Sequence, residues 1–242
     1  MKLKLSVIPI TVAALGALLG WAAPAGAATL LNRGHVDIGI GYDAGAFDLH
    51  VHDEESDTEY SPGDAVLGVN ASARRLTSAG LGVALGLSAG TPLWILPAAQ
   101  DPELLFLGLG TEELSDSEWS GNLSLTLKGI SGPGSVAAWS VGSLGEISVH
   151  LNSRDGVNAS DRFSLLAGSH GHVNLGFTEP GNYELLFEAT GTHLTDGVVA
   201  SGDVAYAFSV IPEPSVGRLA AIGVVTGWLF RRRTRCASRT VG

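Results

Sequence analysis

Leu123-Ser124-Leu125-Thr126-Leu127 places an apolar side chain at every second position, with a hydroxyl residue between each. Successive side chains of a β-strand point to opposite faces, so this stretch reads as a strand with one face buried and the other in water. Val36-Asp37-Ile38-Gly39-Ile40 shows the same alternation, and Tyr183-Glu184-Leu185-Leu186-Phe187 nearly does. Further strands are expected at Phe47 to Val51, Ala65 to Val69, Leu104 to Leu107, Val136 to Trp139, Ile147 to Leu151, His172 to Phe177 and Val204 to Val210.

Gly, Pro, Asn and Asp punctuate these runs. Ser61-Pro62-Gly63-Asp64, Gly132-Pro133-Gly134, Arg154-Asp155-Gly156 and Glu179-Pro180-Gly181-Asn182 read as turns. Many short strands spaced in this way predict a mainly β fold, a β-sandwich, over residues 28–210. Leu76 to Ser88 is ambiguous. Leu81, Val83, Leu85 and Leu87 alternate, and Gly80, Gly82 and Gly86 disfavour a helix, so a strand is expected there.

The two ends of the 242-residue chain have a different character. Lys2 and Lys4 precede an apolar run from Leu5 to Ala23, and Ala25-Gly26-Ala27 supplies a small-x-small cleavage pattern. Residues 1–27 therefore read as a secretory signal peptide for signal peptidase, an uncleaved membrane anchor being the alternative. At the far end Pro212-Glu213-Pro214 leads into the apolar segment Leu219 to Phe230, followed by Arg231, Arg232 and Arg233. As a helix that segment would rise only ~18 Å against a hydrocarbon core of ~30 Å. Residues 211–233 thus read as a short, marginal transmembrane helix. The arginines hold residues 234–242 in the cytoplasm and leave the domain outside.

Charge sharpens the picture. Between Ala28 and Ile211 lie six basic and 23 acidic residues, a balance of −17. Phosphate backbones repel such a surface, which excludes nucleic acid as a partner and leaves cations as the charged partners. The sole cysteine, Cys236, follows the apolar segment, so no disulfide braces the domain and core burial must hold it together.

The C-terminal triad of Pro212-Glu213-Pro214, short apolar helix and arginine cluster resembles the PEP-CTERM sorting signal of bacterial surface proteins. The resemblance implies processing by an exosortase-like membrane enzyme and delivery to the cell envelope or an exopolysaccharide matrix. Arg218 within the apolar stretch and the tail Thr234 to Gly242 depart from that pattern. His35-Val36-Asp37, Pro92-Leu93-Trp94-Ile95-Leu96-Pro97, Gly129 to Gly134 and His170-Gly171-His172 running into Phe177-Thr178-Glu179-Pro180-Gly181-Asn182-Tyr183 resemble the choice-of-anchor M domain. The last of these, with Asp196-Gly197, is also similar to the actinobacterial surface-anchored repeat. Leu175 stands where that repeat commonly has tryptophan. Some relatives of this kind are associated with metal-type transporters, which implies a role in metal uptake.

Residues two apart on a strand share a face, so His35/Asp37, His50/His52 and His170/His172 each present two metal ligands side by side. Imidazole with carboxylate suits a divalent transition metal such as zinc or manganese. His35, Asp37, His170 and His172 form the preferred set, because they fall in the segments that carry the family resemblance. The alternative is histidines hydrogen-bonded at strand ends. Asp53, Glu54, Glu55 and Asp57 read as a solvated acidic loop. Asn152, Asp155, Asn158 and Asp161 offer a calcium cluster without the ligand order of an EF-hand.

Enzyme signatures are absent from the sequence. Gly80-Leu81-Gly82 and Gly39-Ile40-Gly41 lack the third glycine of a dinucleotide loop, and no Gly-x-Ser-x-Gly elbow occurs. Glu112/Glu113 read as an exposed acidic turn unless a cleft holds them for glycoside hydrolysis. Trp94 and Trp139 have apolar neighbours and read as core, Trp119 as exposed. The expected function is a non-catalytic, envelope-sorted surface or matrix protein, the alternative being a divalent-metal-binding module for metal uptake.

Overall fold

The alternation over Leu123 to Leu127 becomes one strand of seventeen in a computed structural model that describes residues 27–212. Apart from Ala27, Ile211 and Pro212, the signal peptide of 1–27 and the sorting segment and tail of 211–242 lie outside the described residues. So do Glu213, Pro214, Arg231, Arg232 and Arg233. Among the described residues no helix is long and apolar enough to cross a membrane.

In chain order the strands are β1 (Thr29–Leu31), β2 (Gly34–Asp43), β3 (Ala46–Asp53), β4 (Thr58–Tyr60), β5 (Ala65–Val69), β6 (Arg74–Leu76), β7 (Pro92–Leu96), β8 (Leu105–Gly110) and β9 (Leu123–Ser131). They continue with β10 (Val136–Val141), β11 (Ile147–Asn152), β12 (Arg162–Leu165), β13 (His170–His172), β14 (Asn174–Phe177), β15 (Gly181–His193), β16 (Gly197–Ala200) and β17 (Val204–Val210). Among the described residues one α-helix, α1 (Ala79–Leu85), and four three-residue 3-10 helices interrupt them. The mainly β expectation holds, with the strands divided among three sheets.

The largest sheet runs β1-β5-β17-β15-β9-β12, with β16 also paired to β15. A second runs β11-β10-β14-β7-β6 and a third β13-β8-β2-β3-β4. Most pairs are antiparallel; β1 with β5, β5 with β17 and β2 with β8 are parallel. One continuous core joins all three sheets. Leu125, Phe187 and Phe208 enter it from the first, Trp94, Ala138 and Phe177 from the second, and Ile38, Val51 and Leu107 from the third. Each of the Leu, Ile, Val and Phe side chains among these contributes roughly 1.5–3 kcal/mol by leaving water. Along β15, Tyr183, Leu185, Phe187 and Ala189 are buried at alternate positions, as the sequence pattern requires.

Two expectations need correction. The strand expected within Leu76 to Ser88 is largely the helix α1. Leu81 and Leu85, four apart, share a helix face and join a second apolar cluster with Leu93, Ala137 and Trp139. The Ser78 hydroxyl accepts a hydrogen bond from the Leu81 N–H at 3.2 Å and caps the helix start. Gly86, at φ +67°, ends it in the left-handed conformation that favours glycine. The glycines that argued against a helix thus help to bound a short one.

The single strand expected from His172 to Phe177 is two. β13 pairs with β8 in the third sheet, and β14 pairs with β7 and β10 in the second. The chain changes sheets at Val173: β13 is the edge strand of the third sheet beside β8, whereas β14 lies inside the second sheet between β7 and β10. That switch is what carries His170 and His172 to the site.

Candidate metal centre

Strands β2 and β8 of the third sheet have one face in the core and the other turned outward. Val36, Ile38 and Ile40 of β2 are buried in the core with Leu105, Leu107 and Leu109 of β8. The opposite face therefore receives His35, Asp37, Gly39 and Gly41 from β2, and Phe106, Gly108 and Gly110 from β8. His50 and His52 of β3 alternate with the core residues Leu49 and Val51. Register then aligns whole rows across the sheet. His172 stands beside Gly108, Gly108 beside Asp37, and Asp37 beside His52. The next row runs His170, Gly110, Gly39, His50.

Adjacent strands lie ~4.8 Å apart, so β13 and β2, with β8 between, are separated by ~10 Å. Their side chains meet over Gly108. A Cβ at that position would overlap Asp37 Oδ1 and lie 2.6 Å from His170 Nε2 and 2.9 Å from His172 Cε1. Glycine here is a matter of space.

Over that floor the four expected ligands converge, each offering one donor atom within 4.8 Å of the others. His35 Nε2 is 3.2 Å and His170 Nε2 3.1 Å from Asp37 Oδ1. The two imidazole nitrogens are 3.4 Å apart. Ligands ~2.0–2.1 Å from a tetrahedral zinc lie ~3.3 Å from one another, which is the spacing of this triangle. Hydrogen bonds have similar lengths, and Asp37 Oδ1 can accept an N–H from each imidazole; the same three atoms are also spaced to hold an ion between them.

Surrounding groups orient the ligands. His172 Nδ1 is 3.0 Å from the Leu107 carbonyl oxygen, to which it donates as Nδ1–H, leaving Nε2 free with its lone pair. The His172 ring stacks on Phe106 with centroids 3.6 Å apart. Burial pushes the His172 pKa below its ordinary value, and the nearby His170 and His35 add to this against the opposing pull of Leu107 and Asp37. A neutral imidazole is the form a metal requires. Asp37 is 2% exposed, while His35 and His170 stay about a quarter exposed, so the centre sits at the surface over a buried carboxylate.

The other candidates fare differently. His50 and His52 share the sheet face but turn to separate carboxylates. His50 Nε2 lies 3.1 Å from Glu113 Oε1, and His52 Nδ1 lies 3.1 Å from Glu54 Oε1. The calcium cluster is built as a turn, since the buried Asp161 carboxylate accepts the N–H groups of Asn152 and Asn158 at 2.7 and 2.8 Å. Trp94 and Trp139 are buried as expected. Trp119, expected exposed, is also buried; it stacks on Phe47 with centroids 5.1 Å apart and closes against Tyr42 and His193. Pro212 is exposed at the edge of the described residues.

Sequence reasoning missed the carboxylates around the site. Glu54 was expected in a solvated loop and Glu112 and Glu113 in an acidic turn, yet all three reach over the sheet. With Asp37, His50, His52 and Glu59 they line a cleft of about 360 Å³. The alternating glycines, Gly39 and Gly41 beside Gly108 and Gly110, were the available signal. Four positions without side chains on one sheet face leave room for long ones from elsewhere. A comparison with known families, curated proteins and solved structures found no match to this chain.

Proposed function

We propose that this chain is a non-catalytic, exported envelope protein whose β-sandwich domain binds a divalent transition metal, zinc or manganese, through His35, Asp37, His170 and His172. The observation that carries the reading is the convergence of four donor atoms from β2 and β13 over Gly108. Four protein ligands fill a tetrahedral zinc shell, whereas catalytic zinc keeps a position for water, so the arrangement favours holding the ion over using it. Partial exposure of His35 and His170 gives the ion a route in and out, as capture for uptake requires. Packing of one large sheet against two smaller ones supports the sandwich description.

The export half of the proposal rests on the signal-peptide pattern of residues 1–27 and on Pro212-Glu213-Pro214 with Arg231, Arg232 and Arg233. Signal peptidase and an exosortase-like enzyme are the implied processing partners. Delivery to an exopolysaccharide matrix is the second reading, favoured by the same sorting signal, in which the domain's acidity serves solubility.

The deciding experiment is metal content, measured by mass spectrometry on protein purified without an affinity tag, for wild type and His170→Ala/His172→Ala. The proposal requires about one transition-metal ion per chain in the wild type and loss of it in the variant. Equal content in the two proteins rules it out.

A further inference from the structure

Asp37 is buried and its two oxygens face different groups. Oδ1 meets His35 and His170, as described above. Oδ2 is buried and has no hydrogen-bond partner among the described residues. Asp37 lines the cleft together with Gly110, Glu54 and Glu112, and a Cβ at Gly110 would lie 3.7 Å from Glu112 Oε2, 3.8 Å from Asp37 Cβ and 4.0 Å from Asp37 Oδ2. Donor atoms of Asp37, Glu54 and Glu112 all come within 4.8 Å of one another. An unpartnered carboxylate oxygen in the interior, beside two further carboxylates, is unfavourable without a cation.

The neighbouring charges do not supply one at that point. Among the described residues no lysine or arginine lines the cleft. His52 faces Glu54 and Asp57, His50 faces Glu113, and His170 reaches Glu112 only at 3.7 Å through Nδ1. None of these contacts reaches Asp37 Oδ2 among the described residues.

We infer that the cleft is a second cation site, in which Asp37 Oδ2, Glu54 and Glu112 hold a hard divalent ion, and that the Asp37 carboxylate bridges it to the ion of the histidine centre. An all-oxygen set selects calcium, magnesium or manganese over zinc, and such ions complete their shells with water. The cleft has room for those waters. The bridge rests on the histidine centre proposed above; the three-carboxylate site does not. Binding at one centre would then partly neutralise a ligand of the other, so each ion should weaken the other's binding, and by the same factor.

The test uses full-length untagged protein, stripped with chelator and given one equivalent of zinc, then titrated with manganese and followed by the electron paramagnetic resonance of free Mn(II). Wild type should bind one manganese beside the zinc. Glu54→Gln/Glu112→Gln should keep the zinc and weaken manganese at least tenfold, and His170→Ala/His172→Ala should lose zinc and keep manganese. Asp37→Asn should weaken both. Both glutamates have solvent-facing side chains, so their isosteric replacements leave the fold intact, which far-ultraviolet circular dichroism verifies. No manganese in wild type, or unchanged manganese in Glu54→Gln/Glu112→Gln, overturns the second site whatever zinc does. Wild type that binds manganese but fails to retain the zinc would instead overturn the histidine centre and the bridge while the carboxylate site stands. Unchanged manganese in Asp37→Asn overturns the bridge.

Discussion

The Nε2 atoms of His35 and His170, 135 residues apart in the chain, lie 3.4 Å apart although the strands that carry them are not neighbours. Strand β8 runs between β2 and β13, and the contact exists because β8 presents Gly108 at that level. A side chain there would occupy the volume in which the ligands meet.

Gly108→Ala should therefore weaken the site while sparing the fold. Its methyl would collide with Asp37 Oδ1 and crowd His170 and His172, on a face the core does not use. Zinc affinity measured by competition with a chromogenic chelator should fall ~10–100-fold, the scale of perturbations just outside a metal's ligands. Circular dichroism should be unchanged. Wild-type affinity in this variant would contradict the glycine floor.

Acid should destabilise the metal-free domain in part through His150, which is remote from the centre. Burial lowers the His150 pKa from its ordinary 6.5, and its Nε2 is 3.0 Å from Ser140 Oγ. In the interval between the lowered folded value and 6.5 the unfolded chain binds more protons, so stability rises with pH there. The contribution is full above pH 6.5 and is lost as pH falls toward the folded value. Urea denaturation of His150→Gln in chelator should show a shallower decline over that interval than wild type; identical slopes would exclude His150.

Phe187 ties the largest sheet to the common core. It is 2% exposed, with ring centroids 6.3 Å from Phe163 and 6.1 Å from Tyr206. Phe187→Ala should cost about 3–5 kcal/mol in urea unfolding, from lost burial and the cavity left behind. A cost under ~1 kcal/mol would mean that the core collapses around the gap.

The end of α1 offers a smaller, local test. Gly86→Ala places a side chain at φ +67°, with open space around it, so backbone strain is the only penalty. The cost should be about 1 kcal/mol. No change in thermal midpoint would argue that the helix terminus shifts to relieve the strain.

Much of the strand layout was legible because a strand buried on one face writes its period into the chain. Ala65 to Val69 and Val204 to Val210 coincide with β5 and β17, and the alternation over Tyr183 to Phe187 marks the middle of the fold. Strands β1, β4, β6, β7, β12 and β16 went unseen; β1, β4 and β6 are only three residues long with little burial, and β12 and β16 have only four residues each. Trp119 was misjudged because polar neighbours in sequence say nothing of Phe47, Tyr42 and His193, which cover it.

The candidate ligands were legible as pairs, since two residues on one strand face must lie together whatever the fold. That His35/Asp37 and His170/His172 should form one group, and His50/His52 should not join it, depended on register. Only the tertiary structure places β8 between β2 and β13, aligns Gly108 with Asp37 and His172, and swings Glu54 and Glu112 over the same face. The physical reason is one of range. Periodicity, turn chemistry and charge balance are local properties that the amino-acid order determines directly. Which strands become neighbours is decided by burying one core shared among three sheets, and the candidate site inherits its geometry from that choice.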